Sequence, residues 1–170
     1  MKKLALLFTF FVAIATGCSE SSPTTSSTQE NITTSDKLKD AKKVYVEKLN
    51  STGFTGRLET ISQYGIAISQ FDPTNKNDIK SLKDIHDGGI PKYKDFLKFI
   101  RELKAPEEYQ SFHKLLDDSI SNFIGSMEEM DQHLDNVKET DHLKKSTEHY
   151  IAATESMKKI VKELPYGDLK

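Results

Sequence analysis

The chain has 170 residues, with 24 basic and 26 acidic side chains, a formal net charge of −2, no tryptophan and one cysteine. This near-neutral balance gives no electrostatic basis for binding nucleic acid, and no nucleic-acid partner is expected. One cysteine excludes an internal disulfide. The length suits a single domain that buries roughly two-thirds of its unfolded surface.

The first eighteen residues have the features of an export signal. Lys2 and Lys3 precede an apolar run over residues 4–15, which Thr16 and Gly17 separate from Cys18. A helix over this run would span roughly 18 Å, well short of the ~30 Å hydrocarbon core of a bilayer. Residues 1–17 are therefore predicted to be a secretory signal peptide, not a permanent transmembrane helix.

The residues around the cysteine, Ala15-Thr16-Gly17-Cys18, resemble a bacterial lipobox, although Ala15 stands where leucine is commonest in that motif. The resemblance implies cleavage before Cys18 and attachment of a diacylglycerol, with fatty acids such as palmitate, to its thiol. It also implies a lipid-anchored protein on the outer, extracytoplasmic face of the cell membrane. An ordinary signal peptide with an incidental cysteine and an uncleaved N-terminal anchor are the alternatives.

A polar tether follows the cysteine. Residues 18–35 are rich in serine and threonine and contain almost nothing apolar. Such a segment buries too little surface to offset its ordering entropy, so it is expected to be disordered. The tether leaves residues 36–170 as the folded domain.

The domain begins with two long segments of helical periodicity. The first opens at Ser35 or Asp36 and ends at Asp72-Pro73, with a kink or short break expected at Gly53 and Gly56. Gly65 lies in its apolar stripe, where it would allow a neighbouring helix to approach closely. The second segment covers about residues 78–104, and Gly88, Gly89 and Pro91 predict a kink or an interruption near residues 88–91.

Two further helices complete the prediction. Ala105-Pro106-Glu107-Glu108 starts a helix running to about Lys138, because proline suits a first turn and acidic residues complement the helix dipole. The last helix runs from about Asp141 to Pro165. The apolar stripe of the helix that starts at Ala105 is Tyr109, Phe112, Leu116, Ile120, Phe123, Met127, Met130, Leu134 and Val137. That of the last helix is Leu143, Thr147, Tyr150, Thr154, Met157, Ile160/Val161 and Leu164.

These segments predict an all-α fold, an up-and-down antiparallel bundle of three to four long helices. The helical part is similar to small envelope lipoproteins of uncharacterised function in Gram-positive bacteria. That similarity rests on the Ser/Thr tether, the long helices, and the stretch from Ala105 to His113. It implies no known activity, and the only site residue it carries over is Cys18.

Two pairs of a histidine and a carboxylate have the residue types of metal ligands. Glu139-Thr140-Asp141-His142 is a single Glu-x-x-His match at a predicted turn, whereas di-metal bundles use two inward copies. Glu129 and His133 are placed on the flank of a core stripe. His86 and His113 are interpreted as hydrogen-bonded spectators. No metal site, cofactor or catalytic constellation is predicted, so the chain is not expected to be an enzyme.

The function expected from this pattern is a non-enzymatic, membrane-anchored interaction domain. A small-ligand or metal-binding bundle at the cell surface is the alternative, and a hydrolytic enzyme is a more distant one. A core without a cavity of ~300 Å³ would favour the interaction domain.

One residue is a candidate contact with an envelope protein or with a second copy of the chain. Phe99 lies off the centre of its helical stripe, among charged side chains, although packing in the core is the alternative for it. Phe123 is predicted to lie in the centre of the core, and Asp117 on the solvated face of the same helix.

Overall fold

The structure, a computed structural model, describes residues 34–163, and side chains from residue 38 to 162. It contains no strand in this range, which confirms the predicted all-α fold. The predicted signal peptide, Cys18, residues 18–33 of the tether and the stop at Pro165 lie outside the described residues, whereas Thr34 and Ser35, expected in the tether, belong to the first helix. The helices are α1 (Thr34–Asn50), α2 (Phe54–Ser69), α3 (Lys76–Glu102), a 3-10 turn (Glu107–Tyr109), α4 (Gln110–Asp135) and α5 (Thr140–Glu163).

The first predicted segment is divided into α1 and α2, as the glycine at its join indicated. The hydroxyls of Ser51 and Thr52 donate to the carbonyls of Lys48 and Leu49 and so close the last turn of α1. Gly53 then adopts a φ of 69°, a left-handed conformation that glycine reaches without steric strain. This turn lets α2 begin in a new apolar phase.

Helix α3 is continuous across residues 88–91, so the single long helix is confirmed and, of the two alternatives expected there, the interruption is wrong. Pro91 lies inside the helix and is exposed. The helix persists because its buried residues fall on one face on both sides of the proline, and this face packs along α4. The burial of that face offsets the ~3 kcal/mol by which a proline disfavours a helix interior. The buried residues are Leu82, His86, Tyr93, Phe96 and Ile100.

Helix α4 is the centre of the domain and contacts both α3 and α5. Its predicted stripe is confirmed over eight of nine positions: Tyr109, Phe112, Leu116, Ile120, Phe123, Met127, Met130 and Leu134 are buried. The ninth, Val137, follows the helix, which ends at Asp135 and not at Lys138. Phe123 is 1% exposed, so its predicted position in the core is confirmed.

The predicted face of α5 is confirmed in part, since Ile160 is buried and Leu143, Tyr150 and Met157 pack against the core, but Ser146 and Ala153 take the places expected for Thr147 and Thr154. Ser146, Ala153 and Ile160 are its buried residues, whereas the predicted stripe residue Thr147 is exposed. The contact between α5 and α4 uses small residues and side-chain-to-backbone hydrogen bonds, which apolar periodicity does not detect. The two helices form the most extensive helix pair, and the short turn at residues 136–139 makes them antiparallel.

Asp117 is not simply solvated, which corrects its predicted place on a wet face. Its two carboxylate oxygens accept hydrogen bonds from Nε and Nη2 of Arg101 at 2.8 and 2.9 Å, and Ser121 donates to it as well. The guanidinium of Arg101 holds the pKa of Asp117 below its usual range. This pair joins α3 to α4 at the surface.

Candidate functional site

Helices α2 and α3 are held apart by two tyrosine side chains. The hydroxyl of Tyr93 on α3 donates to the carbonyl of Arg57 on α2 at 2.9 Å, and Tyr64 on α2 is 3.0 Å from Nε2 of His86 on α3. The bridged residues are seven apart on each helix, or roughly 10 Å at 1.5 Å per residue. The two helices therefore meet through side chains at two points, with a gap between these points.

The gap is a cleft of about 330 Å³. Its inner side is formed by the rings of Tyr64, Tyr93 and Phe123 together with Met127. Phe123 packs edge-on against both tyrosines, with ring centroids 5.2 and 4.7 Å away. Gly89 of α3 also lines the cleft, and a β-carbon placed on it would meet only the Met127 sulfur, at 3.7 Å. The cleft therefore has an apolar floor and room beside a glycine.

The contact between Tyr64 and His86 extends to a third helix, α4. His86 is fully buried, and its Nδ1 lies 3.4 Å from Oδ1 of Asp131. Burial lowers the pKa of His86 against the opposing effect of Asp131, so the imidazole is neutral. A neutral imidazole that donates a hydrogen bond from Nδ1 to the carboxylate accepts a hydrogen bond from the Tyr64 hydroxyl at Nε2. This chain joins α2, α3 and α4 and uses both ring nitrogens.

The floor of the cleft stays uncharged over the physiological range. Burial raises the pKa of both Tyr64 and Tyr93 above the usual phenol value. Each hydroxyl is already hydrogen-bonded within the protein. An occupant would therefore meet ring faces and a thioether, which favours an apolar molecule.

The rim of the cleft adds to its apolar character. Ile85 on α3 lines the cleft and is 48% exposed. At the end towards Gly53, a wider recess of about 580 Å³ that includes Arg57 and Lys92 adjoins the cleft. The site thus has an apolar body and a more polar mouth.

The histidines of the two carboxylate–histidine pairs, His133 and His142, do not form a metal site within the described residues. His142 pairs with Glu129 across α4 and α5 at 2.7 Å, and this bond lowers the pKa of Glu129. His133 is 1% exposed, so its predicted place on a flank is wrong. Its Nδ1 lies 2.8 Å from the carbonyl of Glu139, and its Nε2 is buried without a partner within the described residues. These contacts hold the α4–α5 turn.

Of the remaining predicted residues, His113 and Phe99 do not line the cleft. Cys18 is outside the described residues. His113 is half-buried and lies 3.0 Å from the hydroxyl of Tyr45, in agreement with its interpretation as a hydrogen-bonded spectator. Phe99 is half-buried and packs against the core, and its contact with a partner stays a prediction.

The sequence did not identify the cleft, although it contains two partial signals. One is the pair Gly88 and Gly89, which by itself predicts only a kink or an interruption of the helix. Arg57, Tyr64 and His86 become part of a site only through the pairing of α2 with α3. The other signal is the equal spacing from Arg57 to Tyr64 and from His86 to Tyr93, which has meaning only once the antiparallel register is known.

The described residues contain neither a metal site nor a membrane-spanning helix. They contain no group of three or more histidine, cysteine, aspartate or glutamate side chains placed to hold a metal ion. None of the helices in that part of the chain is long and apolar enough to cross a membrane. No protein-family model matches the chain, and no curated protein or solved structure matches it. The cleft and the leader are therefore the two features that bear on function.

Proposed function

We propose that the chain is a lipid-anchored, extracytoplasmic binding protein whose helical domain holds a small, largely apolar molecule between α2 and α3. The observation that carries the binding proposal is the cleft of about 330 Å³ with its aromatic floor. Its volume lies within the ~300–1,000 Å³ range of small-molecule sites. The cleft favours the small-ligand alternative over an interaction domain with a closed core.

The proposed activity is binding without chemical conversion. The two tyrosines of the cleft floor are hydrogen-bonded within the protein, Tyr93 to the carbonyl of Arg57 and Tyr64 to His86, which in turn lies against Asp131. A general base needs a lone pair within hydrogen-bond reach of its substrate. The Nε2 lone pair of His86 is taken by Tyr64, and Tyr64 is itself buried. These bonds support a structural role for the chain of hydrogen bonds.

The leader supports the location in this proposal. A diacylglycerol on Cys18 contributes two acyl chains, and two chains hold a protein stably at a bilayer where one chain holds it only marginally. Cys18→Ser should abolish the incorporation of a radioactive fatty acid while leaving a folded domain. Equal labelling of the wild type and Cys18→Ser would overturn the lipobox assignment and would leave the cleft untouched.

The cleft is tested by titrating the full chain in lipid nanodiscs with 1-octanol, an uncharged apolar probe. Methyl-labelled isoleucine gives an NMR signal for Ile85 at the rim. We expect this signal to shift saturably in the wild type. In Gly89→Leu the added side chain occupies the cleft and the shift should be lost, while the melting temperature holds or rises because leucine favours a helix over glycine.

Ser81→Leu is the matched control. It adds the same side chain at an exposed position of the same helix, outside the cleft. It should respond to octanol as the wild type does, which separates occupancy of the cleft from partition of octanol into the lipid. An Ile85 shift in Gly89→Leu equal to that in the wild type, or no saturable shift in the wild type, would overturn the proposed site.

A further inference from the structure

The mouth of the cleft contains an arginine that the protein fixes in place without neutralising it. The guanidinium of Arg57 lies over the ring of Phe96, 4.7 Å from its centroid, and 6.0 Å from that of Tyr93. Its Nε donates to the carbonyl of Thr52 at 2.9 Å. These contacts position the planar group and leave its two terminal nitrogens directed to no acid among the described side chains.

The other arginine of the chain provides an internal comparison. Arg101 donates from Nε and Nη2 to Asp117, and from Nη2 to Ser121 as well. The protein therefore supplies a bidentate carboxylate to the arginine on its α3–α4 surface, and no described residue supplies one to Arg57. An arginine that is already ordered loses less side-chain entropy when it binds an anion.

The other charges at the mouth do not cancel that of Arg57. Lys92 and Asp84 line the same recess. Asp84 is paired with Lys80 at 2.7 Å, whereas Lys92 adds a second positive charge. The recess shares Thr60, Ile85, Gly89 and Tyr93 with the apolar cleft, so the two volumes lie side by side. A molecule whose apolar part lies in the cleft thus has its other end near Arg57.

From this arrangement we propose that the ligand is a single-chain anionic amphiphile. Its apolar body occupies the cleft, and its carboxylate or phosphate group accepts hydrogen bonds from Arg57. This inference rests on the proposed binding function and adds the chemical class of the ligand. Planar guanidinium groups bind carboxylate and phosphate in the same bidentate geometry, so the head group is defined by its charge and its acceptor oxygens.

The test compares three probes of equal chain length on the full chain in lipid nanodiscs: octanoate, 1-octanol and octylammonium. Octyl phosphate is a fourth probe that separates a phosphate head from a carboxylate. The Ile85 methyl signal gives each dissociation constant. In the wild type octanoate should bind roughly tenfold tighter than octanol, as expected for a charge-assisted hydrogen bond at a partly exposed site, and octylammonium should bind no tighter than octanol.

Arg57→Gln should reduce the ratio of the octanol to the octanoate dissociation constant by about tenfold and leave octanol affinity unchanged. Comparing this ratio between variants cancels the unequal partition of the probes into lipid. Retained octanol binding also shows that Arg57→Gln is folded. Arg101→Gln, the matched control at the arginine that already has a carboxylate, should keep the wild-type ratio.

The outcomes separate the two proposals. Equal affinity for octanoate and octanol in the wild type, or an unchanged ratio in Arg57→Gln, would overturn the anionic ligand while the cleft remains a binding site. The absence of saturable binding for all four probes would overturn the proposed function itself. A preference that weakens with added salt supports the charge of Arg57 as its source, because mobile ions screen an exposed ion pair.

Discussion

The helix pairs α4–α5 and α2–α3 both contain small residues, yet one pair is closed and the other is open. Between α4 and α5, the hydroxyl of Ser119 donates to the carbonyl of Ala153 at 3.0 Å, and that of Ser146 donates to the carbonyl of Ser126 at 2.8 Å. All four residues are fully buried. Small side chains here let one helix donate directly to the backbone of the other.

Between α2 and α3 the small residues face empty space. A β-carbon added to Gly56 or Gly88 would meet no atom within 4 Å. The two tyrosine bridges explain the difference, because each places a full aromatic side chain between the helices. Small residues thus produce a close contact only where the neighbouring helix can reach them, and the same composition beside rigid spacers produces a cleft.

Phe123 lies in the centre of the core and packs against both tyrosines of the cleft, so its truncation should have the largest effect. Phe123→Ala should lower the free energy of unfolding by roughly 3–5 kcal/mol, as expected for removal of a buried phenylalanine. Chemical denaturation measures this loss. Asp117→Ala is the control on the same helix and should cost only about 0.2–1 kcal/mol, because its partner Arg101 is largely exposed. Similar losses for the two variants would contradict the orientation of α4.

The sequence predicted the buried face of α4 more completely than that of α5, and the reason is physical. Large apolar residues recur along α4 at every turn, so the period alone defines its buried face. On α5 the buried positions include Ser146 and Ala153, whose burial depends on hydrogen bonds and close approach to α4. A pattern of apolar residues cannot reveal a face that is buried because it is small.

The partners of the buried histidines and the cleft escaped prediction because both depend on register between helices. His86 is buried at little cost only because Tyr64 and Asp131, from two other helices, satisfy its nitrogens. Likewise, Gly88 and Gly89 give no indication of whether a neighbour lies opposite. Local propensity suggested a break there, but burial on α4 overrode it.

A larger residue at the closed contact should be more damaging than one at the open contact. Ala153→Leu forces three extra carbons into the fully buried α4–α5 contact and should cost about 1–3 kcal/mol of unfolding free energy. Ala67→Leu makes the same change on α2 at the edge of the cleft, where it should stay within about ±0.5 kcal/mol. Equal losses in thermal denaturation would mean that α2 and α3 are as closely packed as α4 and α5.

Acid should weaken the open pair first. Burial lowers the pKa of His86 in the folded protein, whereas an unfolded histidine titrates near ~6.5. Below that pH the unfolded chain binds a proton that the folded chain does not, so stability decreases as the pH decreases. One such proton changes the unfolding free energy by at most about 1.4 kcal/mol per pH unit. Burial lowers the pKa of His113 as well, which adds to the same trend.

Denaturation curves between pH 7.5 and 5.5 measure this slope. His86→Gln should be less stable than the wild type at pH 7.5 but should show a shallower loss as the pH falls. Hydrogen exchange should report faster opening of α2 than of α4 at pH 5.5, because a protonated imidazole no longer accepts the proton of Tyr64. An unchanged slope in His86→Gln would mean that other groups dominate the acid sensitivity.

The smallest expected effect tests the comparison most directly, because it adds one methyl group to α3 beside the cleft and one to α4 at its contact with α5. In Gly88→Ala the new β-carbon enters open space, and alanine favours a helix over glycine by about 1 kcal/mol. In Gly125→Ala it would lie 3.2 Å from Nδ1 of His149, which is held by Asn122 at 3.1 Å. The ring must move and strain that bond, which offsets the gain in helix propensity. We therefore expect Gly88→Ala to raise the melting temperature and Gly125→Ala to leave it unchanged or lower it. A comparable rise in both variants would show that α4 and α5 yield as easily as the edge of the cleft, and that small residues at their contact are not required for its close packing.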